Sequence, residues 1–238
     1  MVRETDVESL KSLIEAEGKV IVVTGAGVST GSGIPDFASI DSSWDAPVPR
    51  SVAISLPFFE AYPAEFWKYY KQLFAVKSLD TFSPSKAHVF LKGLETVAEV
   101  KVFTQNVDGL HSLAGSSNVV ELHGNAKHLK CVSCSKLFSA VDFWESLVPE
   151  CVCGARLKPT VVLFGEGSEG YQKLQDAYRG VGVALFMGTS LNVAPVSNFP
   201  YYLAAYQPQF NRIYWNNVIE GPNVKYFHQV LASDFSSL

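Results

Sequence analysis

The stretch that decides the fold reads Lys19-Val20-Ile21-Val22-Val23-Thr24-Gly25-Ala26-Gly27. Residues 20–24 are all β-branched, a composition that favours a β-strand. Because the run is short and has no polar alternation, we expect a strand that is buried on both faces. Two glycines close behind it indicate a tight turn at the strand's end. The stretch therefore predicts an α/β protein with a parallel sheet.

Three later segments have the same apolar character, and each ends in small or amide-bearing residues. They are residues 99–104, which stop at Gln105-Asn106-Val107-Asp108, residues 182–187, which stop at Gly188-Thr189-Ser190, and residues 212–215, which stop at Asn216-Asn217. Helical spacing of apolar residues predicts a helix over 6–17. Strands that alternate with helical stretches imply a parallel, Rossmann-like sheet. In such sheets ligands bind at the carboxyl ends of the strands, so one cleft can collect all four ends.

A loop with the features of a diphosphate cradle follows the first strand and reads Gly25-Ala26-Gly27-Val28-Ser29-Thr30-Gly31-Ser32-Gly33. Glycine lets the backbone approach a ligand closely, and free N–H groups at a helix start meet anionic oxygens. The ordinary dinucleotide pattern is G-x-G-x-x-G, but here the third glycine falls one position late, at Gly31. No acidic residue ends a second strand about twenty residues later, so an ordinary hydride-transfer dehydrogenase is disfavoured. A glycine-rich turn without a ligand stays an alternative.

All four cysteines of the chain lie close together in sequence, at Cys131, Cys134, Cys151 and Cys153. Two short-spaced pairs of thiolates suit tetrahedral zinc, which takes four sulfur ligands at about 2.3 Å. A closed four-thiolate site leaves no open coordination position, so we expect one structural zinc ion. Two disulfides are the alternative, and we disfavour them because no secretory signal precedes the cysteines.

The composition excludes several classes of protein. The 238 residues are 47% apolar and 18% charged, which is enough apolar material for a substantial core. The net charge is −4 and no Lys/Arg cluster exists, so we expect no direct nucleic-acid binding. The apolar stretches are far below the roughly 18 residues of a membrane span, and the polar start is unlike a leader. We therefore expect a cytoplasmic protein that makes no membrane contact.

Two segments interrupt the alternation of strands and helices. Residues 36–85 are rich in Pro, Phe, Tyr and Trp and contain a predicted helix over 63–76, whereas residues 125–158 hold the cysteines. We interpret the two segments as insertions that together build one smaller lobe, partly helical and partly zinc-binding. The larger, Rossmann-like nucleotide-binding domain then comprises residues 1–35, 86–124 and 159–238.

Several short motifs follow one another along the chain. They are Gly25-Ala26-Gly27-Val28-Ser29, Gly33-Ile34-Pro35-Asp36-Phe37, residues 104–111, Glu121-Leu122-His123-Gly124, the four cysteines, residues 161–166 and Gly188-Thr189-Ser190-Leu191. In this order they resemble the sirtuin family, the NAD-dependent protein lysine deacylases. The resemblance implies an enzyme that releases nicotinamide from NAD and transfers the acetyl group of a protein lysine to the ADP-ribose.

The resemblance also implies roles for individual residues. His123 would be the base that helps a ribose hydroxyl, a role that suits a side chain with a near-neutral pKa, and Asn106 would orient the ribose or an ordered water. Val162 and Phe164 would line the channel for the acylated lysine, whose peptide would pair with backbone groups there as an added strand. The residues expected to bind NAD are Gly25, Ala26, Gly27, Ser29, Ile34, Asp36, Phe37, Gln105, Asn106, Asp108, His123, Gly188, Thr189, Ser190 and Asn216, with Asn217 as the alternative to Asn216.

One position departs from the family pattern. The family usually has an arginine after Pro-Asp-Phe, whereas this chain has Ala38 there, which removes a cation near the expected diphosphate. Two alternatives therefore accompany the deacetylase: an enzyme that removes other acyl groups or transfers ADP-ribose, and a non-catalytic module that binds NAD or ADP-ribose. The retained His123 argues against the non-catalytic module. A preference for succinyl groups is disfavoured because Tyr69-Tyr70-Lys71-Gln72 offers no arginine.

Overall fold

A six-stranded sheet forms the centre of the protein. A computed structural model of the chain describes residues 4–35, 44–74, 79–178, 180–236 and 238. Its strands are β1 Lys19–Thr24, β2 Glu99–Thr104, β3 Val119–Glu121, β4 His128–Cys131, β5 Leu137–Ser139, β6 Leu157–Pro159, β7 Val183–Met187, β8 Asn211–Asn216 and β9 Gln229–Ala232. The large sheet has the order β3-β2-β1-β7-β8-β9, and all its pairings are parallel. The predicted α/β fold with a parallel sheet is confirmed.

Helices connect the strands on both sides of the sheet. Within the described ranges they are α1 Glu4–Glu17, α2 Arg50–Ala53, α3 Leu56–Ala61, α4 Pro63–Phe74, α5 Lys86–Gly93, α6 Leu110–Leu113, α7 Glu169–Ala177 and α8 Phe199–Tyr206. Helix α1 begins two residues earlier than predicted, and acidic residues in its first turn favour that start. The predicted helix over 63–76 is described as far as Phe74, because residues 75–78 lie outside the described part. No described helix has the length and apolar character that a bilayer crossing requires.

Both faces of the large sheet are buried, which explains the uninterrupted apolar run of β1. Val20 and Val22 belong to a core cluster with residues of α1 and α5. Ile21 and Val23, which point to the opposite face, belong to a second cluster with residues of α7 and α8. Each of the four side chains is at most 1% exposed, and full burial of such a side chain stabilises the fold by about 1.5–3 kcal/mol.

A smaller, antiparallel sheet in the order β5-β4-β6 carries the cysteine segment. Its buried residues Leu129 and Leu157 share a third core cluster with Phe59, Phe66 and Tyr70 of the helical segment. The two interrupting segments are therefore packed together. Strand β6 reaches Pro159, one residue into the range assigned above to the larger domain, and the division of the chain at the stated boundaries stays a prediction.

Candidate active site at the carboxyl edge of the sheet

The turn after β1 packs directly against the turn after β7. The amide of Gly27 donates to the carbonyl oxygen of Gly188 at 2.8 Å. A Cβ atom on Gly25 would lie 2.8 Å from the same oxygen, and one on Gly27 would lie 2.9 Å from it. A side chain at either position would push the two turns apart, so their close approach requires these glycines. Backbone N–H groups in a glycine-rich turn of this kind suit an anionic diphosphate.

A buried network of polar side chains joins the ends of β1 and β2. The hydroxyl of Ser29 donates to Oδ2 of Asp108 at 2.7 Å, and Nδ2 of Asn106 donates to Oγ of Ser29 at 2.9 Å. The same amide group donates to the carbonyl of Gly25 at 3.1 Å. All three side chains are buried, where polar groups are costly unless they are paired. The network therefore fixes Asn106 and Asp108 in place.

A second network joins the ends of β2, β7 and β8. Nε2 of Gln105 donates to Oγ1 of Thr189 at 2.8 Å. The hydroxyl of Tyr214 donates to the carbonyl of Thr189 at 2.8 Å, and Nδ2 of Asn216 donates to the Tyr214 hydroxyl at 3.1 Å. Ser190, beside Thr189, is exposed. The structure thus brings Gln105, Thr189 and Asn216 to one edge of the sheet.

His123 lies two residues after β3 and is held at both ring nitrogens. Nδ1 is 2.9 Å from the carbonyl of Gln105, and Nε2 is 2.5 Å from the hydroxyl of Tyr171 on α7. Because a carbonyl only accepts, Nδ1 carries the hydrogen of the neutral ring and Nε2 is the basic nitrogen. Burial lowers the pKa of His123, although the Gln105 carbonyl opposes that shift. The ring is therefore neutral at pH 7 and can accept a proton.

The segment that follows β6 runs beside His123. The amide of Val162 donates to the carbonyl of His123 at 2.8 Å, the amide of Phe164 donates to the carbonyl of Ile54 at 3.0 Å, and the carbonyl of Phe164 accepts from Leu56 at 3.0 Å. These backbone groups are paired within the chain, so an added peptide strand would have to pair with others. The side chain of Val162 is half-buried, whereas Phe164 is 52% exposed and can border a channel.

Part of the predicted cofactor site lies outside the described residues. Asp36, Phe37 and the departure at Ala38 belong to the range 36–43, which the structure does not describe. Ile34, next to that range, is half-buried, and its amide donates to the carbonyl of Ser29 at 3.4 Å. Ala26 lies in the 3₁₀ turn Ala26–Val28 and is half-buried.

Tyr171 is a contact of His123 that sequence reasoning alone does not find. It lies 48 residues further along the chain and outside every motif quoted above. Its position on a helix with apolar spacing is typical of a core tyrosine, and the residues around it carry no signal of a functional contact. The fold alone reveals it.

The four cysteine sulfurs converge on the small sheet. The Sγ–Sγ distances are 3.5 Å for Cys131 and Cys153, 3.7 Å for Cys134 and Cys151, and 3.9 Å for Cys134 and Cys153. Four sulfurs around one zinc ion stand about 3.8 Å apart, whereas disulfide-bonded sulfurs are about 2.05 Å apart. All four cysteines are free, and their sulfur atoms lie within 4.8 Å of one another. The donor set fits one structural zinc ion and does not fit two disulfides.

Backbone amides favour the thiolate form at the first cysteine. The amides of Ser133 and Cys134 each donate to Sγ of Cys131 at 3.4 Å. The Cys134 amide, with smaller contributions from other donors, lowers the pKa of Cys131 to about 6. Because zinc binds the thiolate, this arrangement of amides prepares Cys131 as a ligand.

Known proteins resemble this chain along most of its length. A family model described as the Sir2 family matches residues 25–195. The NAD-dependent protein deacetylase of Bacillus subtilis (strain 168) is 40% identical over 202 residues, 81% of this chain and 82% of the relative. A protein of the same name from Sulfolobus acidocaldarius is 38% identical over 201 residues, 82% of this chain and 78% of the relative.

Solved structures agree with the sequence comparison. A Sir2 homologue in complex with NAD superposes with a TM-score of 0.81 at 33% identity, covering 97% of this chain and 90% of that one. A Sir2 complex with a p53 peptide and NAD+ gives a TM-score of 0.79 at 30% identity, and the match covers 97% of this chain and 94% of that one. The motifs, the fold and the relatives lead to one conclusion: this chain belongs to the Sir2 family, the sirtuins.

Proposed function

We propose that this chain is an NAD-dependent protein lysine deacetylase, which transfers the acetyl group of a lysine to the ADP-ribose of NAD and releases nicotinamide. The observation that carries the proposal is the neutral imidazole of His123, whose basic Nε2 lies at the edge of the sheet where the cofactor would bind. The deacetylase relatives at 40% and 38% identity support the same reaction.

The residues at this edge fit NAD. The glycine-rich turns that meet at Gly25, Gly27 and Gly188, where a Cβ atom would clash with the opposite turn, would hold the diphosphate through their backbone. Gln105 would face the ribose next to the nicotinamide, and Gly188, Thr189, Ser190 and Asn216 would face the adenosine. Bound NAD supplies a weak bond between nicotinamide and ribose, and the sugar that receives the acetyl group.

The chain's own polar residues would orient the bound NAD and remove a proton from its ribose. Asp108, fixed through Ser29, would accept a hydrogen bond from a carboxamide, and Ile34 would serve the same group through its backbone. Asn106, whose Nδ2 donates to both Gly25 and Ser29, would orient a sugar or a water. His123 would take a proton at Nε2, and a positioned base of this kind contributes about 10²- to 10⁴-fold in rate.

The proposed substrate is an acylated lysine within an extended protein segment. The exposed ring of Phe164 and the side chain of Val162 would border the channel for the acyl chain. The net charge of −4 gives no support for direct nucleic-acid binding, and we propose a cytoplasmic location without membrane contact.

The zinc ion in this proposal is structural. Cys131, Cys134, Cys151 and Cys153 would occupy all four coordination positions. No position would then be left for a substrate, so the metal would stabilise the small lobe and take no part in the reaction.

The test is an assay of the full chain with NAD and an acetylated peptide, with nicotinamide and deacetylated peptide quantified by mass spectrometry. We expect equal amounts of both products, and a loss of at least about 100-fold in His123→Ala with unchanged zinc content. Nicotinamide release without peptide deacetylation would instead indicate ADP-ribosyl transfer. NAD binding without any release would indicate a binding module, and a panel of longer acyl chains would reveal a different acyl preference.

A further inference from the structure

The hydroxyl of Tyr171 makes a short contact with the imidazole that the proposed function uses as a base. The oxygen lies 2.5 Å from Nε2 of His123, and the two ring centroids are 6.0 Å apart with an interplanar angle of 65°. The Tyr171 ring packs against the core cluster that contains Leu122 and Leu174. Within the described part of the chain, this is the single hydrogen bond that the hydroxyl makes.

The backbone on either side holds the two side chains together. Ser168 caps α7: its Oγ accepts from the amide of Gly170 at 3.2 Å and donates to the carbonyl of Leu122 at 2.5 Å. A Cβ atom on Gly170 would lie 3.1 Å from Cα of Leu122, so the start of α7 rests on the residue that precedes His123. Tyr171 and His123 therefore stand on two segments that are fixed against each other.

The roles of donor and acceptor follow from the chemistry of the two groups. Nδ1 of His123 gives its hydrogen to the Gln105 carbonyl, so Nε2 of the neutral ring offers a lone pair. Burial raises the pKa of Tyr171 to about 12, so its hydroxyl keeps its proton at neutral pH. A phenol is a better donor than acceptor, and the hydroxyl has no second acceptor among the described residues. Tyr171 therefore donates and Nε2 accepts.

We propose that Tyr171 is a positioning residue for His123, and that its hydroxyl, together with the Gln105 carbonyl, holds the ring in the Nδ1–H tautomer with Nε2 as the basic atom. The importance of this contact for turnover rests on the proposed function, whereas the contact itself does not. A hydrogen bond to the lone pair stabilises the unprotonated ring, so Tyr171 lowers the pKa of His123. The hydroxyl must turn away from Nε2 before that nitrogen takes a proton from a sugar.

The test follows the His123 ring by NMR in the full-length, ligand-free protein, in the wild type and in Tyr171→Phe. The matched control is Tyr178→Phe, because the buried hydroxyl of Tyr178, just beyond α7, has no partner among the described residues. The loss of one neutral hydrogen bond changes an equilibrium constant by about two- to tenfold. The pKa of His123 should therefore rise by about 0.3–1 unit in Tyr171→Phe and stay unchanged in the control.

Two readouts besides activity decide the proposal. The ring-nitrogen shifts of the wild type alone should show the Nδ1–H tautomer, and an Nε2–H tautomer would overturn the proposal even if a variant failed to fold. An unchanged or lowered His123 pKa in folded Tyr171→Phe would also overturn it.

If the deacetylase assay succeeds, the acid limb of kcat/KM, which reports the free enzyme, should move to higher pH by the same amount in Tyr171→Phe. If the assay fails while the ring titration shows the predicted rise, the proposed function is wrong and the positioning contact stands.

Discussion

Gly124 directly follows the proposed base, and Gly124→Ala tests whether this turn admits a side chain. Gly124 has a φ of +75°, and a Cβ atom there would lie 2.0 Å from the carbonyl oxygen of Thr160. A left-handed φ costs about 1–2 kcal/mol for a residue with a Cβ atom. The carbonyl must also retreat by more than about 1 Å to reach a normal contact, and overpacking of this kind adds about 1–3 kcal/mol. The free energy of unfolding should fall by about 2–5 kcal/mol.

The matched control is Gly18→Ala. Gly18 has a φ of +68°, and no atom of the described residues other than its chain neighbours lies within 4 Å of the position that a Cβ atom would take there, so only the conformational cost applies. Urea unfolding of both variants, followed by tryptophan fluorescence, measures the difference. Because Val162, close to Thr160, donates to the His123 carbonyl, Gly124→Ala should also reduce deacetylation in the folded protein. Equal destabilisation of the two variants would refute this reasoning, as would full activity of Gly124→Ala.

The remaining predictions concern the zinc ion, the hydrogen-bond network around Ser29 and the dependence of stability on pH. Cys151→Ser should lower the zinc content well below one ion per chain and reduce thermal stability; unchanged metal in elemental analysis would contradict the quartet. Ser29→Ala should lower the free energy of unfolding, measured in urea, by about 1–3 kcal/mol, because Asp108 loses a buried partner. An unchanged urea midpoint would show that the network does not stabilise the fold. Burial lowers the pKa of His88 from the ordinary 6.5 to about 4 and that of His111 to about 3. When the pH falls under 6.5, these two histidines therefore bind protons in the unfolded chain but not in the folded one. Stability should therefore fall from pH 6.5 towards pH 4 by about 1.4 kcal/mol per pH unit for each histidine, and a urea midpoint that stays constant over this range would disprove it.

The central sheet is predictable from sequence because each strand and its end carry a local signal. β7 is apolar throughout, β1 is apolar from Val20 to Val23, and both run into glycine turns, so both their burial and their ends can be inferred. β8 extends to Asn211 and Asn216, one residue beyond each predicted end, because polar residues at a strand end can join the backbone ladder. The zinc ligands are predictable for a similar reason, since the spacing within each cysteine pair is local.

Contacts between distant segments carry no such signal. Tyr171 reaches His123 because α7 begins on Leu122, and no pattern near either residue encodes that packing. The pairing of Phe164 with Ile54 and Leu56 uses backbone atoms, which every residue except proline offers alike. The motifs therefore predicted which residues gather at the edge of the sheet and left their hydrogen-bond partners open.

The stretch 157–164 links the cysteine module to the proposed base without a break. β6 pairs with β4, which ends in Cys131, the amide of Thr160 donates to the carbonyl of His128, and the amide of Val162 donates to that of His123. If zinc orders the cysteine module, its removal should also loosen the backbone that holds the His123 carbonyl, so turnover should fall although no substrate contacts the ion.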